Sequence, residues 1–151
     1  MLFRSRGVYR VMPFWGQYQD QPGSGVQVNF EQKLGKQGPL GAFLRAGVTN
    51  DALGRVQGAT AMVSTGLALQ GATDSDLMKQ KQSYLAGGFY WMQAAGQPVA
   101  NDNEYGIELT YVLQLTETMT LQPDIQVIFN PANNPGAGTV TSFTLQLAYT
   151  W

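Results

Sequence analysis

EYGIELTYVLQLTETMTLQPDIQVIF, residues 104–129, is two alternating runs joined by almost nothing. In the first run, 104–116, Ile107, Leu109, Tyr111, Leu113 and Leu115 alternate with Gly106, Glu108, Thr110, Val112 and Gln114. In the second, 118–129, Met119, Leu121, Ile125, Val127 and Phe129 alternate with Thr120, Gln122, Asp124, Gln126 and Ile128. Successive side chains of a strand point to opposite faces. The spacing therefore predicts two strands, each with one apolar and one largely polar face, turning tightly near Glu117. Pro123 removes a ladder donor and marks a bulge or local break.

The same pattern extends outward. Phe143, Leu145, Leu147, Tyr149 and Trp151 alternate with Ser142, Thr144, Gln146, Ala148 and Thr150, and Val26, Val28 and Phe30 alternate with Gln27, Asn29 and Glu31. The chain divides into about eight runs of roughly ten residues, the span of a tilted transmembrane strand. They are read as 7–18, 25–34, 39–49, 58–70, 83–94, 104–116, 118–129 and 139–151, with Gly/Pro/Asn/Asp turn clusters between them. No segment reads as helix. Residues 74–82 come nearest but lack an apolar stripe at helical spacing. Apolar runs such as Phe89-Tyr90-Trp91-Met92 are far shorter than the ~20 residues a membrane helix needs.

Composition fits an all-β chain whose apolar residues are spread by alternation. Hydrophobic residues make up 44%, aromatics 11% and charged residues 13%, against the ~25% charged share usual in soluble domains. Net charge is −1 with no basic patch, which argues against nucleic acid as a partner. Neither Cys nor His occurs. Disulfides, thiolate chemistry and the commonest general base and metal ligand are thereby removed. No enzyme activity, cofactor or metal is expected. Asp74 and Asp76 could hold calcium but read as solvated turn residues. Residues 134–138 are loop chemistry without the helix a phosphate cradle needs.

Two environments suit such strands: a soluble β-sandwich binding module, or an antiparallel transmembrane β-barrel. A small eight-stranded barrel with a structural or adhesive role is a further alternative. Three details favour the membrane. The polar faces carry Gln, Thr, Ser and Gly rather than Lys and Glu. Aromatics fall near strand ends, at Tyr105, Phe129, Tyr149 and Trp151. The last strand alternates without a break and stops on an aromatic residue. Met1 to Arg6 carries neither an apolar signal core nor a cleavage site, so this reading expects a piece of a longer exported protein.

The stretch Glu108 to Pro131, ELTYVLQLTETMTLQPDIQVIFNP, resembles the OprB carbohydrate-selective porins, whose pattern there is ELxYxxQLT, a short turn and LQPDxQxIxNP. NFEQKL at 29–34, LGAFLRAG at 40–47 and GLALQG at 66–71 are similar to further segments of that family, in the same order. The resemblance implies a sixteen-stranded barrel in the outer membrane, of which residues 1–151 would be the C-terminal half. It implies sugars as solutes, passing downhill through weak contacts. Lipid, the barrel assembly machinery and the missing N-terminal half are then the partners. Such barrels end in the periplasm, which would put residues 130–138, with 21–23, 50–56 and 96–103, outside and the turn at Glu117 inside.

Alternation places Gln27, Asn29, Glu31, Arg45, Glu108, Gln114, Gln122, Asp124 and Gln126 on the lumen side, with Arg10 if Val11 and Trp15 face lipid. Arg10, Glu31, Arg45, Glu108, Gln122, Asp124 and Gln126 are the candidate pore-lining residues. Arg45 and Asp124 are the first candidates for touching solute, since hydroxyls need donors and acceptors. The alternative role is mutual pairing that only stabilises the wall. Glu108 and Asp124 lack the supporting groups a glycosidase pair would need. Phe89 and Trp91 are placed toward lipid and Tyr90 toward the lumen. Tyr149 and Trp151 are the candidate assembly signal, by resemblance to other outer-membrane proteins. Deleting Trp151 from the full-length protein should lower the amount assembled in the outer membrane. Unchanged surface abundance, read by surface labelling, would reject that role.

Overall fold

The computed structural model describes residues 7–18, 20–35, 39–70, 83–95, 103–132 and 136–149; Trp151 and the segment 74–82 lie outside them. Eight strands follow one another: β1 (Gly7–Tyr18), β2 (Gln21–Lys33), β3 (Leu40–Thr49), β4 (Ala59–Gln70), β5 (Tyr84–Ala94), β6 (Asn103–Gln114), β7 (Met119–Phe129) and β8 (Thr139–Tyr149). A helix, α1 (Asp51–Gln57), lies between β3 and β4. Each strand pairs antiparallel with the next in sequence, in the order β1 to β8. Among the described residues the sheet is not closed, because β1 and β8 do not pair.

Register turns the period of two into two continuous faces. Arg10 stands opposite Asn29, Asn29 opposite Arg45, Arg45 opposite Ser64, Ser64 opposite Tyr90 and Tyr90 opposite Gly106. This row crosses six strands on one face. A concavity of about 640 Å³ on that face is lined from β1, β2, β3, β4, β5 and β6, by Val8, Glu31, Phe43, Ala68, Tyr84 and Glu108. The polar face is thus the inner side of a curved sheet.

The opposite, convex face is apolar and uncovered. Trp15 is 82% exposed, Phe143 70%, Val11 64% and Leu147 62%. A soluble sandwich would bury these side chains in its core, and nothing among the described residues covers them. Trp15, Trp91, Tyr105 and Phe129 lie toward one end of this face, and Tyr9, Phe30 and Tyr149 toward the other. Two such belts flank the apolar band of a membrane barrel.

Two boundaries differ from the sequence reading. β2 begins at Gln21, not 25, because Asp20 makes the turn in a left-handed conformation (φ 62°), leaving Pro22 opposite Gln17 and Gly23 opposite Gly16 in the ladder. Residues 51–57, read as loop, form α1. Asn50 caps it, with the Leu53 N–H donating to Asn50 Oδ1 (3.3 Å), and Gly58 ends it at φ 82°. At Pro123 the ladder breaks as expected: the β6–β7 register steps from Thr110–Asp124 to Leu113–Leu121.

The two faces of β8 can be told apart by one cation placed on each. In the full-length protein, Leu145→Arg should lower the unfolding free energy in phospholipid vesicles by about 2–4 kcal/mol, while Gln146→Arg changes it little. Equal effects at both positions would contradict the facing.

Candidate functional site

On the inner wall, Arg45, Asn29 and Glu31 form a compact polar cluster. Arg45 Nη2 lies 3.5 Å from Glu31 Oε1, and Arg45 Nε donates to Asn29 Oδ1 (3.4 Å). Asn29 Nδ2 donates in turn to Glu31 Oε1 (3.1 Å). Asn29 is buried, so the middle of this triangle is fixed. The two charged ends are not: the side chains of Arg45 and Glu31 are 51% and 43% exposed. An ion pair so open contributes at most about 1 kcal/mol and leaves guanidinium donors free for a solute. The guanidinium also lies 5.2 Å from the centroid of the Phe43 ring. Arg10, opposite Asn29 on the same face, continues the row.

A second, acidic cluster faces it from β6 and β7. Glu108 stands opposite Gln126 and Thr110 opposite Asp124. Gln122 Nε2 donates to Thr110 Oγ1 (3.0 Å) across the gap at Pro123. Of the residues singled out from the sequence, Glu31 and Arg45 are thus joined directly. Glu108, Gln122, Asp124 and Gln126 share the neighbouring stretch of the same wall. Tyr149 is exposed on the convex face, opposite Met119.

Three inner-face aromatics were not paired with anything by the sequence reading. Register sets Phe14 opposite Gly25, Phe43 opposite Gly66 and Tyr90 opposite Gly106. Each ring lies across its glycine. A Cβ on Gly25 would sit 2.4 Å from Phe14 Cζ, one on Gly66 2.6 Å from Phe43 Cε1, and one on Gly106 2.0 Å from Tyr90 Cε1. Glycine is required because the ring occupies the volume of its side chain, and at Gly25 and Gly66 the backbone oxygens of Val48 and Gly87 also stand in the way, at 2.6 and 2.4 Å. The rings are thereby laid along the wall instead of across the channel.

Two connections fold onto the same inner face at one end. Leu53 of α1 lies over Gly23, where a Cβ would meet Leu53 Cγ at 2.1 Å. The helix is tied at both ends. Asn50 N–H donates to the Ser24 carbonyl (2.9 Å) and Asn50 Nδ2 to the Pro22 carbonyl (2.9 Å), while Ala95 N–H donates to the Gly58 carbonyl (3.0 Å). After β7, Asn130 turns at φ 51°, and Pro131 and Ala132 are buried. Buried Glu104 holds them: Oε2 accepts from the Ala132 N–H (2.9 Å) and Oε1 from the Tyr90 hydroxyl (2.8 Å). Sequence reasoning placed Glu104 only as a strand end. Its role depends on a chain reversal that periodicity does not encode.

A curved antiparallel sheet, apolar outside with aromatic belts, polar and ring-lined inside, is a porin-type transmembrane β-sheet. The chain belongs to the carbohydrate-selective porins of the OprB family, whose family model matches residues 16–150. That is a family of outer-membrane channels of Gram-negative bacteria and not one of enzymes. Searches of curated proteins and of solved structures gave no match.

The Glu104 contact can be tested alone. Glu104→Ala leaves a buried N–H without its acceptor, a loss of about 1–3 kcal/mol. Protease cleavage within residues 130–138 of the full-length barrel should accelerate, and the heat-modifiable gel shift should persist. An unchanged cleavage rate would show that Glu104 does not hold the loop.

Proposed function

We propose that this chain supplies the C-terminal half of a sixteen-stranded outer-membrane channel through which sugars diffuse passively, and that Arg45 and Glu31 touch the passing solute. The observation that carries the reading is the half-exposed Arg45–Glu31 pair beside the Phe43 ring, in the 640 Å³ concavity. A guanidinium and a carboxylate offer donors and acceptors to hydroxyls, and a ring laid flat on glycine offers a face to the C–H side of a pyranose.

The inner wall supports a wide barrel. An eight-stranded barrel closed on itself fills its interior with side chains. This wall carries Gly25, Gly47, Gly66, Gly88 and Gly106, with Ala68 and Ala86, small residues that favour an open interior over a filled one. A wider barrel with a water-filled lumen suits it. The outer edges of β1 and β8 would there pair with the strands of the other half, since lipid offers their backbone groups no partner. By the family's orientation, α1 and residues 130–138 face outside the cell, and the barrel assembly machinery inserts the chain.

Arg45→Ala in the full-length channel tests the reading. Assembly should be intact. Sugar block of the ion current should weaken roughly tenfold, as for the loss of one hydrogen bond to a charged group. Cation preference should rise as a positive charge leaves the lumen. Wild-type sugar block with unaltered selectivity would remove Arg45 from the path.

A further inference from the structure

We infer that the wall holds a second sugar subsite, roofed by helix α1, on the far side of Arg45 from the first; the inference rests on the sugar-channel reading above. A separate cavity of about 380 Å³ opens between α1 and the inner wall. Phe14, Gln27, Gln57, Thr49 and Met62 line it, together with Arg45. Its volume falls at the small end of the ~300–1,000 Å³ usual for ligand sites.

The arrangement repeats that of the first concavity in different residues. Phe14 lies across Gly25 as Phe43 lies across Gly66. Gln27 and Asn29 are successive inner-face residues of β2, so the amide of Gln27 continues the polar row toward the mouth. Gln57, in the last turn of α1, brings a second amide from the roof. An amide both donates and accepts, as a neutral sugar hydroxyl does. Among the described lining residues Arg45 alone is charged, and it belongs to both cavities. The two sites are therefore adjacent along the channel, with a shared wall.

The roof is fixed. Its N-terminal end is bonded to β2 through Asn50 and its C-terminal end to the residue after β5 through Gly58. Thr60, the extra residue where β4 slips in register against β5, fills the space over Gly54. A rigid roof preorganises the cavity, and what it takes is one pyranose ring while the next occupies the Phe43 site. The chemical class of ligand is thus a neutral linear oligosaccharide, bound across Arg45 by two of its rings.

The experiment compares current block by glucose and by a linear glucose disaccharide in full-length channels. The wild type should bind the disaccharide more tightly. In the Gln27→Ala/Gln57→Ala channel the disaccharide-to-glucose affinity ratio should fall roughly tenfold, as for two ordinary hydrogen bonds lost. Ala favours helix, so α1 persists. Phe14→Ala should lower the ratio as well, and Phe14→Tyr should restore it. A ratio near one in the wild type, or one unchanged in the double variant, overturns the second subsite and leaves the channel reading standing. Absence of block by either sugar in the wild type overturns the channel reading, and the subsite with it.

Discussion

A backbone N–H or C=O in lipid has no water to bond, and leaving one unpaired costs several kcal/mol. The strands of this chain meet that constraint by pairing each with its neighbour in sequence through about ten residues of register. Once the ladder is set, facing is no longer free. A slip of one residue would carry Arg45 and Glu31 into lipid and Leu44 and Phe30 into the lumen. The polar row from Arg10 to Gly106 exists because five successive pairings keep the same parity. The break at Pro123 is tolerated because register resumes unshifted beyond it.

The inner wall adds a second constraint, on volume. A channel needs aromatic faces without aromatic obstruction. The solution here is a glycine directly across the ladder from each of Phe14, Phe43 and Tyr90, so that each ring reclines on its neighbour strand. Glycine in a strand interior is ordinarily unfavourable, and the ring restores the covering that its missing side chain would give. The same pairing positions function. Tyr90 reclines on Gly106 and so brings its hydroxyl to Glu104, which holds the chain at Ala132.

Much of this was legible in the sequence because period two is a local property. All eight strands follow from alternation and are found so, and register sets Glu31, Arg45, Glu108, Gln122, Asp124 and Gln126 on one face of the sheet. Pairing partners were less legible. That Arg45 meets Asn29 and Glu31, or that Phe43 covers Gly66, depends on register between runs whose turns set it. The turn was read across residues 20–23 because Pro22 and Gly23 are strong turn residues, yet both stand in the strand and the left-handed turn residue is Asp20. Helix α1 was missed because its seven residues span two turns, too few for an apolar stripe to declare itself. Its caps, Asn50 and Gly58, were the available signal.

The exposure of the Arg45–Glu31 pair bears on how such a wall can be selective and still conduct. A buried ion pair would hold its partners away from any solute, and a lone buried cation would hold a solute too long. Here Asn29, buried between them, fixes the geometry, while both charged ends remain about half open to the lumen. Contacts with an entering hydroxyl replace contacts with water, so the net gain per contact is small. In the proposed role, selectivity comes from several small gains in a row, along a wall whose rings are already in place. A conducting site needs binding that is favourable yet readily reversed. In the proposed role, a fixed backbone ladder with half-exposed side-chain ends meets both needs, order coming from the ladder and exchange from the open ends of Arg45 and Glu31.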